Sequence, residues 1–275
     1  VLPVVKDITI IQCGIDLTGI STFNLTVNNK EISTDFANET FSYYTTLAGA
    51  VTANPAQLIT TPLAFTNTTP FLMSVWARVV NKNGCFRTAQ ISLQVLATQI
   101  PITYNRTFEV CDDFLDVNGV NNANNDKRDG ISTFNFSSVA TEIKAMLDPT
   151  VNYNITFYRN QADAFAEQNA IADIANYRNI GYPDTQTIWG RVDSDVDNAC
   201  FGLGPYVILT VEKLPFANSV TIPRQCDDNH DGVFVFNTAT LETTLKGTNQ
   251  SFPVTVTYFD ATNNPLRDAN GVLIS

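Results

Sequence analysis

The sequence predicts an all-β fold: tandem immunoglobulin-like or fibronectin-like β-sandwich domains strung in a rod. Three observations carry that prediction. The polar residues are chiefly Asn and Thr, 29 and 34 of 275, while Asp, Glu, Lys and Arg together make up only 16%. Thr favours strands and Asn favours turns. Short β-branched and aromatic runs alternate with turn signals at a density of about seven strands per 100 residues, which is sandwich spacing, with a barrel as the lesser alternative. The third observation is a repeat.

The same phrase stands at Gly19-Ile-Ser-Thr-Phe-Asn-Leu25, Gly130-Ile-Ser-Thr-Phe-Asn-Phe136 and Gly232-Val-Phe-Val-Phe-Asn-Thr238. Cys13, Cys111 and Cys226 precede the phrases, and Pro3, Pro101 and Pro215 precede those cysteines. Ser74-Val-Trp-Ala-Arg-Val79 matches Thr187-Ile-Trp-Gly-Arg-Val192, and each is followed by a second cysteine, Cys85 or Cys200. The period is a whole domain, too long for a solenoid unit. It divides the chain into repeat one at 1–98, repeat two at 99–213 and a partial repeat three at 214–275. Repeat three stops at Ser275, before its Trp-x-Arg-Val strand and second cysteine, so the chain begins in a linker, ends inside a domain and reads as a piece of something longer; no signal peptide opens it.

In repeat one, strands are expected at Ile8–Ile11, Ile20–Leu25, Phe41–Thr45, Leu72–Val80 and Ile91–Leu96. In repeat two they are expected at Tyr104–Val110, Ile131–Phe136, Tyr153–Tyr158, Thr187–Val192 and Tyr206–Val211. Helical turns are expected at Ser138–Leu147 and Asn160–Ala172, where Ala and Glu replace the β-branched residues. The linkers Ala97–Ile102 and Val211–Pro215 are short, with Pro and no Gly/Ser run, and should be stiff. Apolar residues at 44% suffice for a core in each domain.

Several function classes fall away. A net charge of −11 repels a phosphate backbone, which excludes nucleic acid as a partner. The one histidine, His230, leaves residues 1–213 without a Ser-His-Asp triad. No apolar run approaches the roughly 20 residues of a membrane span.

The expected cysteine pairing is one bridge per domain, Cys13–Cys85 and Cys111–Cys200, with Cys226 unpaired because its partner would lie beyond Ser275. Such bridges imply an oxidising, extracytoplasmic location. Acidic residues gather beside the cysteines: Asp112, Asp113, Asp116, Asp126 and Asp129 after Cys111, and Asp193, Asp195 and Asp197 before Cys200. A third set, Asp227, Asp228, Asn229 and Asp231, follows Cys226 with D-x-N-x-D-G spacing. A Cys111–Cys200 bridge would force two acidic loops together, and calcium, which takes oxygen ligands, is the expected cofactor in repeats two and three. The alternative is a set of solvated Asx turns. In repeat one the site is eroded to Gly14, Ile15, Asp16 and Thr18, and no ion is expected.

On the Trp-x-Arg strands, Val75, Ala77 and Val79 share one face, as do Ile188, Gly190 and Val192, and these read as the buried side. Trp76, Arg78, Trp189 and Arg191 then point to the other. They form either a ligand platform for sugar stacking or, as recurrence favours, a scaffold in which the preceding segment roofs the Trp.

The phrase Cys-Asp-Asp-x-x-Asp-Gly-x-x-x-Phe-Asn, the segment Gln161–Ala164 after a Tyr-rich strand, and Trp-x-Arg-Val before a Cys together resemble one group. These are the tandem β-sandwich repeats of large secreted adhesin or gliding-motility-associated proteins of Bacteroidetes. The resemblance spans the chain. It implies export by the type IX system, attachment at the cell surface, and a role in adhesion or gliding.

The expected function is therefore a non-enzymatic structural or adhesive segment, disulfide-stapled and calcium-stiffened. Its partners would be adjacent repeats of the same chain and a surface, glycan or protein target. The alternative is a carbohydrate-binding accessory region of a secreted polysaccharide-degrading enzyme, which a glycan array would separate from the first.

Overall fold

A computed structural model describes all residues except 228, 233, 235, 237–239, 249, 251, 252, 269, 270 and 275. The chain separates into two compact units, Val1–Glu212 and Lys213–Ser275.

The first unit holds two sandwiches built to one plan. Repeat one contains β1 (Ile8–Gly14), β2 (Thr22–Phe23), α1 (Asn29–Ile32), β3 (Glu39–Tyr44), α2 (Leu47–Thr52), β4 (Phe65–Thr66), β5 (Leu72–Asn81) and β6 (Phe86–Ala97). Repeat two contains β7 (Arg106–Cys111), β8 (Thr133–Phe134), α3 (Ser138–Ala145), β9 (Tyr153–Tyr158), α4 (Gln161–Ala166), β10 (Tyr177–Arg178), β11 (Thr185–Ser194) and β12 (Cys200–Glu212). The large sheets run β1-β6-β5-β3 and β7-β12-β11-β9, faced by the small pairs β2-β4 and β8-β10. The all-β sandwich reading is correct.

Period-two burial makes the strands. Val75, Ala77 and Val79 are fully buried, and across β6 Ala89, Ile91, Leu93 and Val95 answer them. Phe23, Leu25 and Ile32 close the core of repeat one, and Phe134, Phe136, Ile143 and Phe157 close that of repeat two. In β11 and β12 the glycines at 190 and 204 make room for one ring, and Gly202 makes room for Ile100. A Cβ on Gly190 or Gly204 would meet Tyr206 carbons at 2.5 or 2.6 Å.

The phrase around Phe-Asn pairs over only two residues, because Asn24 and Asn135 turn the chain out of the strand. Each accepts from the backbone N–H two residues on, at 2.9 and 3.1 Å. Helix α2 was not expected from the sequence. Thr46 caps it by accepting from the Gly49 N–H at 3.0 Å, and Asn160 caps α4 by accepting from Asp163 at 2.9 Å.

One pairing sets the polarity of each sandwich. The first strand lies parallel to the last, with Cys13 opposite Leu96 and Cys111 opposite Glu212. Each first cysteine therefore sits at the pole where the chain leaves its repeat. Each second cysteine, just before β6 or opening β12, sits at the pole where the chain enters.

In the second unit, α5 (Leu241–Lys246) and the isolated bridges Phe259–Pro265 and Arg267–Leu273 are the regular features among the described residues.

Candidate functional site

The chemistry of this chain gathers where repeat one meets repeat two. Cys13 and Cys200 form a disulfide across that joint, with Cα atoms 5.4 Å apart. Cys85, Cys111 and Cys226 are free thiols.

The expected Cys13–Cys85 and Cys111–Cys200 pairings are thus corrected, and strand length gives the reason. Cys85 lies eleven residues before Leu96, the partner of Cys13, and Cys200 lies twelve before Glu212, the partner of Cys111. At about 3.3 Å per residue, the two cysteines of one repeat are some 35–40 Å apart. A disulfide needs Cα atoms within roughly 7 Å. The exit-pole cysteine of one repeat can reach only the entry-pole cysteine of the next.

Around the bond Cys13, Tyr158, Ala164, Phe165, Cys200 and Leu203 form an apolar cluster, with Trp189 packed on it. Beside that cluster lies Arg191, 1% exposed. Its guanidinium donates to Asp193 at 2.7 Å and pairs with Glu167 at 3.0 Å. It also crosses the joint to donate to Gln12 Oε1 at 2.9 Å. Gln12 Oε1 further accepts from the Cys13 N–H, and its Nε2 donates to the Thr22 carbonyl. Asn24 of repeat one donates to the Ala166 carbonyl at 2.6 Å, and the linker Gln99 N–H donates to the Phe201 carbonyl at 2.7 Å.

One arginine thus balances two carboxylates in a dry place. Burial pushes Asp193 up to about 7; Arg191 opposes that rise and Glu167 adds to it. Burial pulls Arg191 down, but Asp193 and Glu167 outweigh it and hold the guanidinium charged. Asp193 Oδ1 is buried without a hydrogen-bond partner. Glu167 occupies the left-handed cap of α4 at φ 54°, a conformation that costs a non-glycine residue about 1 kcal/mol. Its side chain accepts from Asn198 as well as meeting Arg191.

The other Trp-x-Arg strand is used differently. Arg78 donates to the Ala50 and Val51 carbonyls at the end of α2, at 2.8 and 2.9 Å, and lies 3.3 Å from the centroid of the Phe86 ring. Trp76 and Trp189 are both half-buried.

The acidic residues do not form one cluster. Asp112, Asp113, Asp116, Asp126 and Asp129 lie at the exit pole of repeat two, while Asp193, Asp195 and Asp197 lie at its entry pole. The premise that a Cys111–Cys200 bridge forces these loops together is corrected with the bridge itself. Asp113 pairs with Arg178 at 2.6 Å. Asp116 accepts from the Asn118 and Val120 N–H groups and from Asn122, bonds that hold its carboxyl below the usual range. Asp126, Asp129 and Asp197 accept from N–H groups two residues on, and the Asp195 N–H donates to the Asn152 carbonyl.

Asp112 differs from these. Its Oδ2 accepts from the Gly130 N–H at 2.9 Å, but its Oδ1 is buried without a partner. Burial raises its pKa, the Gly130 bond lowers it, and Asp129, Asp113 and Asp126 raise it again. In repeat three, Asp227 accepts from Asn229, His230 and Gly232 N–H groups, and Asn229 donates to Asp231 at 2.8 Å; Asp228 lies outside the described residues. Among the described residues no three His, Cys, Asp or Glu side chains are grouped to hold a metal ion. Among them, too, no helix is long and apolar enough to cross a membrane.

Sequence reasoning missed Gln12, Asn24, Glu167 and Asn198. The available signal was Gln12, a long polar side chain next to the first cysteine on a mostly apolar strand.

No curated protein matches the chain. Among solved structures, Sidekick-1 immunoglobulin domains 1–4 align at 13% identity and TM-score 0.18, over 75% of this chain and 49% of that one. The human Desmocollin-1 ectodomain aligns at 9% identity and TM-score 0.20, over 82% and 43%. This chain therefore spans less than half the length of either. The family model of the Flavobacterium inter-domain disulphide bond domain matches twice, at residues 9–101 and 107–215. The two matches span the two sandwiches that Cys13 and Cys200 join, and the chain belongs to that family.

Proposed function

We propose that this chain is a non-enzymatic structural segment of a long secreted surface protein, holding successive sandwiches in fixed register to support cell-surface adhesion or gliding motility. Export by the type IX system and cell-surface attachment belong to the same reading. The observation that carries it is the Cys13–Cys200 bond, set in a buried joint with Arg191 bridging Gln12 of one repeat and Asp193 and Glu167 of the other. A bond of that kind is suited to an extracellular setting, and the joint takes up Trp189 and Arg191, two of the four side chains the alternative needs for a sugar platform. Arg191 is buried and Trp189 is packed on the joint's apolar cluster.

Calcium enters this reading at one place, the loop after Cys111. There Asp112 Oδ1 is buried without a partner, and the charges of Asp129, Asp113 and Asp126 act on its carboxyl, charge that a hard cation would offset. The remaining ligands would be backbone carbonyls and water.

The test compares the intact protein in its native cell with a variant carrying Cys13→Ser and Cys200→Ser, and with one lacking residues 1–213. Surface display is measured alongside adhesion and gliding speed. Adhesion or gliding should fall in both variants while display persists. Unchanged adhesion and gliding in the deletion would refute the role. Glycan-array binding abolished by Trp189→Ala would establish the carbohydrate-binding alternative in its place.

A further inference from the structure

A cleft of about 710 Å³ opens on repeat two, between α4 and the segment that runs from it to β10. Repeat one shows what is missing there. Its matching segment is stitched down by Gln57, whose carbonyl accepts from the Thr45 N–H at 3.0 Å and whose Oε1 accepts from Thr46 Oγ1 at 2.6 Å. A Cβ on Gly49 would meet the same side chain at 2.4 Å. The two segments correspond through fixed points. Ala53 and Glu167 end α2 and α4 in the left-handed conformation, at φ 52° and 54°. Ile59 and Ile171 then donate to the Tyr43 and Phe157 carbonyls, both at 2.8 Å. Between those points repeat one has residues 54–58 and repeat two only 168–170. The shorter segment brings no counterpart of Gln57. Arg159, Asn160 and Asp163, which answer Thr45, Thr46 and Gly49, line the cleft instead.

The walls are polar, and several of their groups are unspent. Arg159 is exposed beside the buried Tyr177, its guanidinium carbon 5.8 Å from that ring's centroid. Its guanidinium has no ion pair or hydrogen bond among the described residues, and neither the Asn176 amide group nor the Tyr182 hydroxyl has a hydrogen bond there. Asp173 Oδ1 accepts from the Ala175 and Asn176 N–H groups, both at 3.0 Å, which leaves Oδ2 for a ligand. Asn169 Nδ2 donates to Asp163 Oδ1 at 2.8 Å, which leaves Asn169 Oδ1. Donors and acceptors thus stand side by side. Their charges nearly cancel, because the second arginine, Arg178, is spent on Asp113 and on the Asp116 and Val117 carbonyls.

We propose that this cleft binds a neutral oligosaccharide of hexopyranose units. Each hydroxyl of such a sugar both donates and accepts, so neighbouring hydroxyls are matched by a guanidinium or amide beside a carboxylate, as Arg159 and Asn176 stand with Asp173. The C–H face of the ring packs on an aromatic side chain, and Tyr182 supplies one. An anionic ligand drawn to Arg159 would also meet Asp163 and Asp173 as like charges. The volume lies within the roughly 300–1,000 Å³ of small-ligand sites. Repeat one has Thr45, Gly49, Thr61 and Ala64 where repeat two has Arg159, Asp163, Asp173 and Asn176, so the site belongs to repeat two alone. Trp189 does not line it. The proposal goes beyond the rod reading and does not depend on it: the joint holds the repeats, and the cleft gives one of them a ligand.

The test screens the whole chain on an array of neutral hexopyranose oligosaccharides, with uronic-acid and sulfated glycans beside them. The strongest neutral binder is then measured by isothermal titration calorimetry against wild type, Arg159→Ala, Asn176→Ala and Trp189→Ala. Arg159 and Asn176 are exposed, so both variants should keep the wild-type melting temperature, which is checked first. Arg159→Ala should weaken binding at least about tenfold, the loss of one charge-assisted hydrogen bond. Asn176→Ala should weaken it less, and Trp189→Ala should leave it unchanged. No binding on the array, binding confined to the acidic glycans, or an affinity unchanged in folded Arg159→Ala each overturns the proposal and leaves the rod reading standing. Binding kept in Arg159→Ala and abolished by Trp189→Ala moves the ligand to the joint and overturns both.

Discussion

Replacing Arg191 by Met removes the charge that holds the joint's polar centre together while keeping its volume. Asp193 and Glu167 both touch that guanidinium, at 2.7 and 3.0 Å. Two carboxylates on one guanidinium lie roughly 5 Å apart, and at an effective dielectric constant of about 20 they repel by some 3 kcal/mol once it is gone. Gln12 Oε1 loses a donor as well, and Asp193 Oδ1 already has none. Breaking a buried ion pair from one side costs about 3–5 kcal/mol, and this one should cost that much at pH 8.5. At pH 5.5 Asp193 takes up a proton instead, and the deficit should shrink below about half. The assay is urea unfolding of Arg191→Met and wild type at both pH values in a Trp76→Phe background, which leaves Trp189 at the joint as the reporter. A deficit below about 1 kcal/mol at pH 8.5, or one equal at the two pH values, would refute the electrostatic account of the joint.

Asp193 binds its proton more tightly folded, up to about pH 7, than unfolded, where an aspartate titrates near its ordinary value. Wild-type stability should therefore fall as pH rises between roughly 4 and 7, by at most about 1.4 kcal/mol per pH unit, and Asp193→Asn should flatten the slope in pH-dependent melts. Cys13→Ser opens a loop of 187 residues and should cost about 5 kcal/mol on the chain-entropy model, read as a lowered urea midpoint that equals that of the reduced wild type. Gly190→Ala puts a Cβ 2.5 Å from the Tyr206 ring and should cost about 1–3 kcal/mol; an unchanged melting temperature would show that the ring can move aside. Millimolar calcium should raise the melting temperature of wild type and leave Asp112→Asn unmoved; equal response in the two would remove calcium from the loop after Cys111.

The sandwich was legible because period-two burial is written into single strands: Val75, Ala77 and Val79 need no knowledge of their neighbours. The joint was not, because its partners come from different repeats. Arg78 and Arg191 occupy one motif, yet the first closes a helix in its own domain and the second reaches Gln12 of another. Nothing within 74–79 or 187–192 distinguishes them. The cysteine pairing failed for a different reason. Strand length alone places Cys13 and Cys111 at the exit poles, but the second cysteines read as loop residues on no particular end. Only the parallel pairing of β6 with β1 and of β12 with β7 shows that they lie at the opposite pole. Helix α2 stayed hidden because its run, Leu47–Thr52, carries Gly and β-branched residues, and its Thr46 cap is local geometry.

The Cys13–Cys200 bond also decides how a pair of repeats answers to pulling. Tension applied at the two ends of residues 1–213 runs along β1 to Cys13, crosses the sulfur–sulfur bond, and continues along β12. Residues 14–199 lie off that route. Unfolded without the bond, those residues would yield up to about 650 Å of slack at roughly 3.5 Å each; with it they yield none. Along the route, β1 pairs in parallel with β6, and β12 with β7. Reduction would turn an inextensible link into an elastic one, a change that single-molecule stretching reads as the sudden appearance of that hidden length.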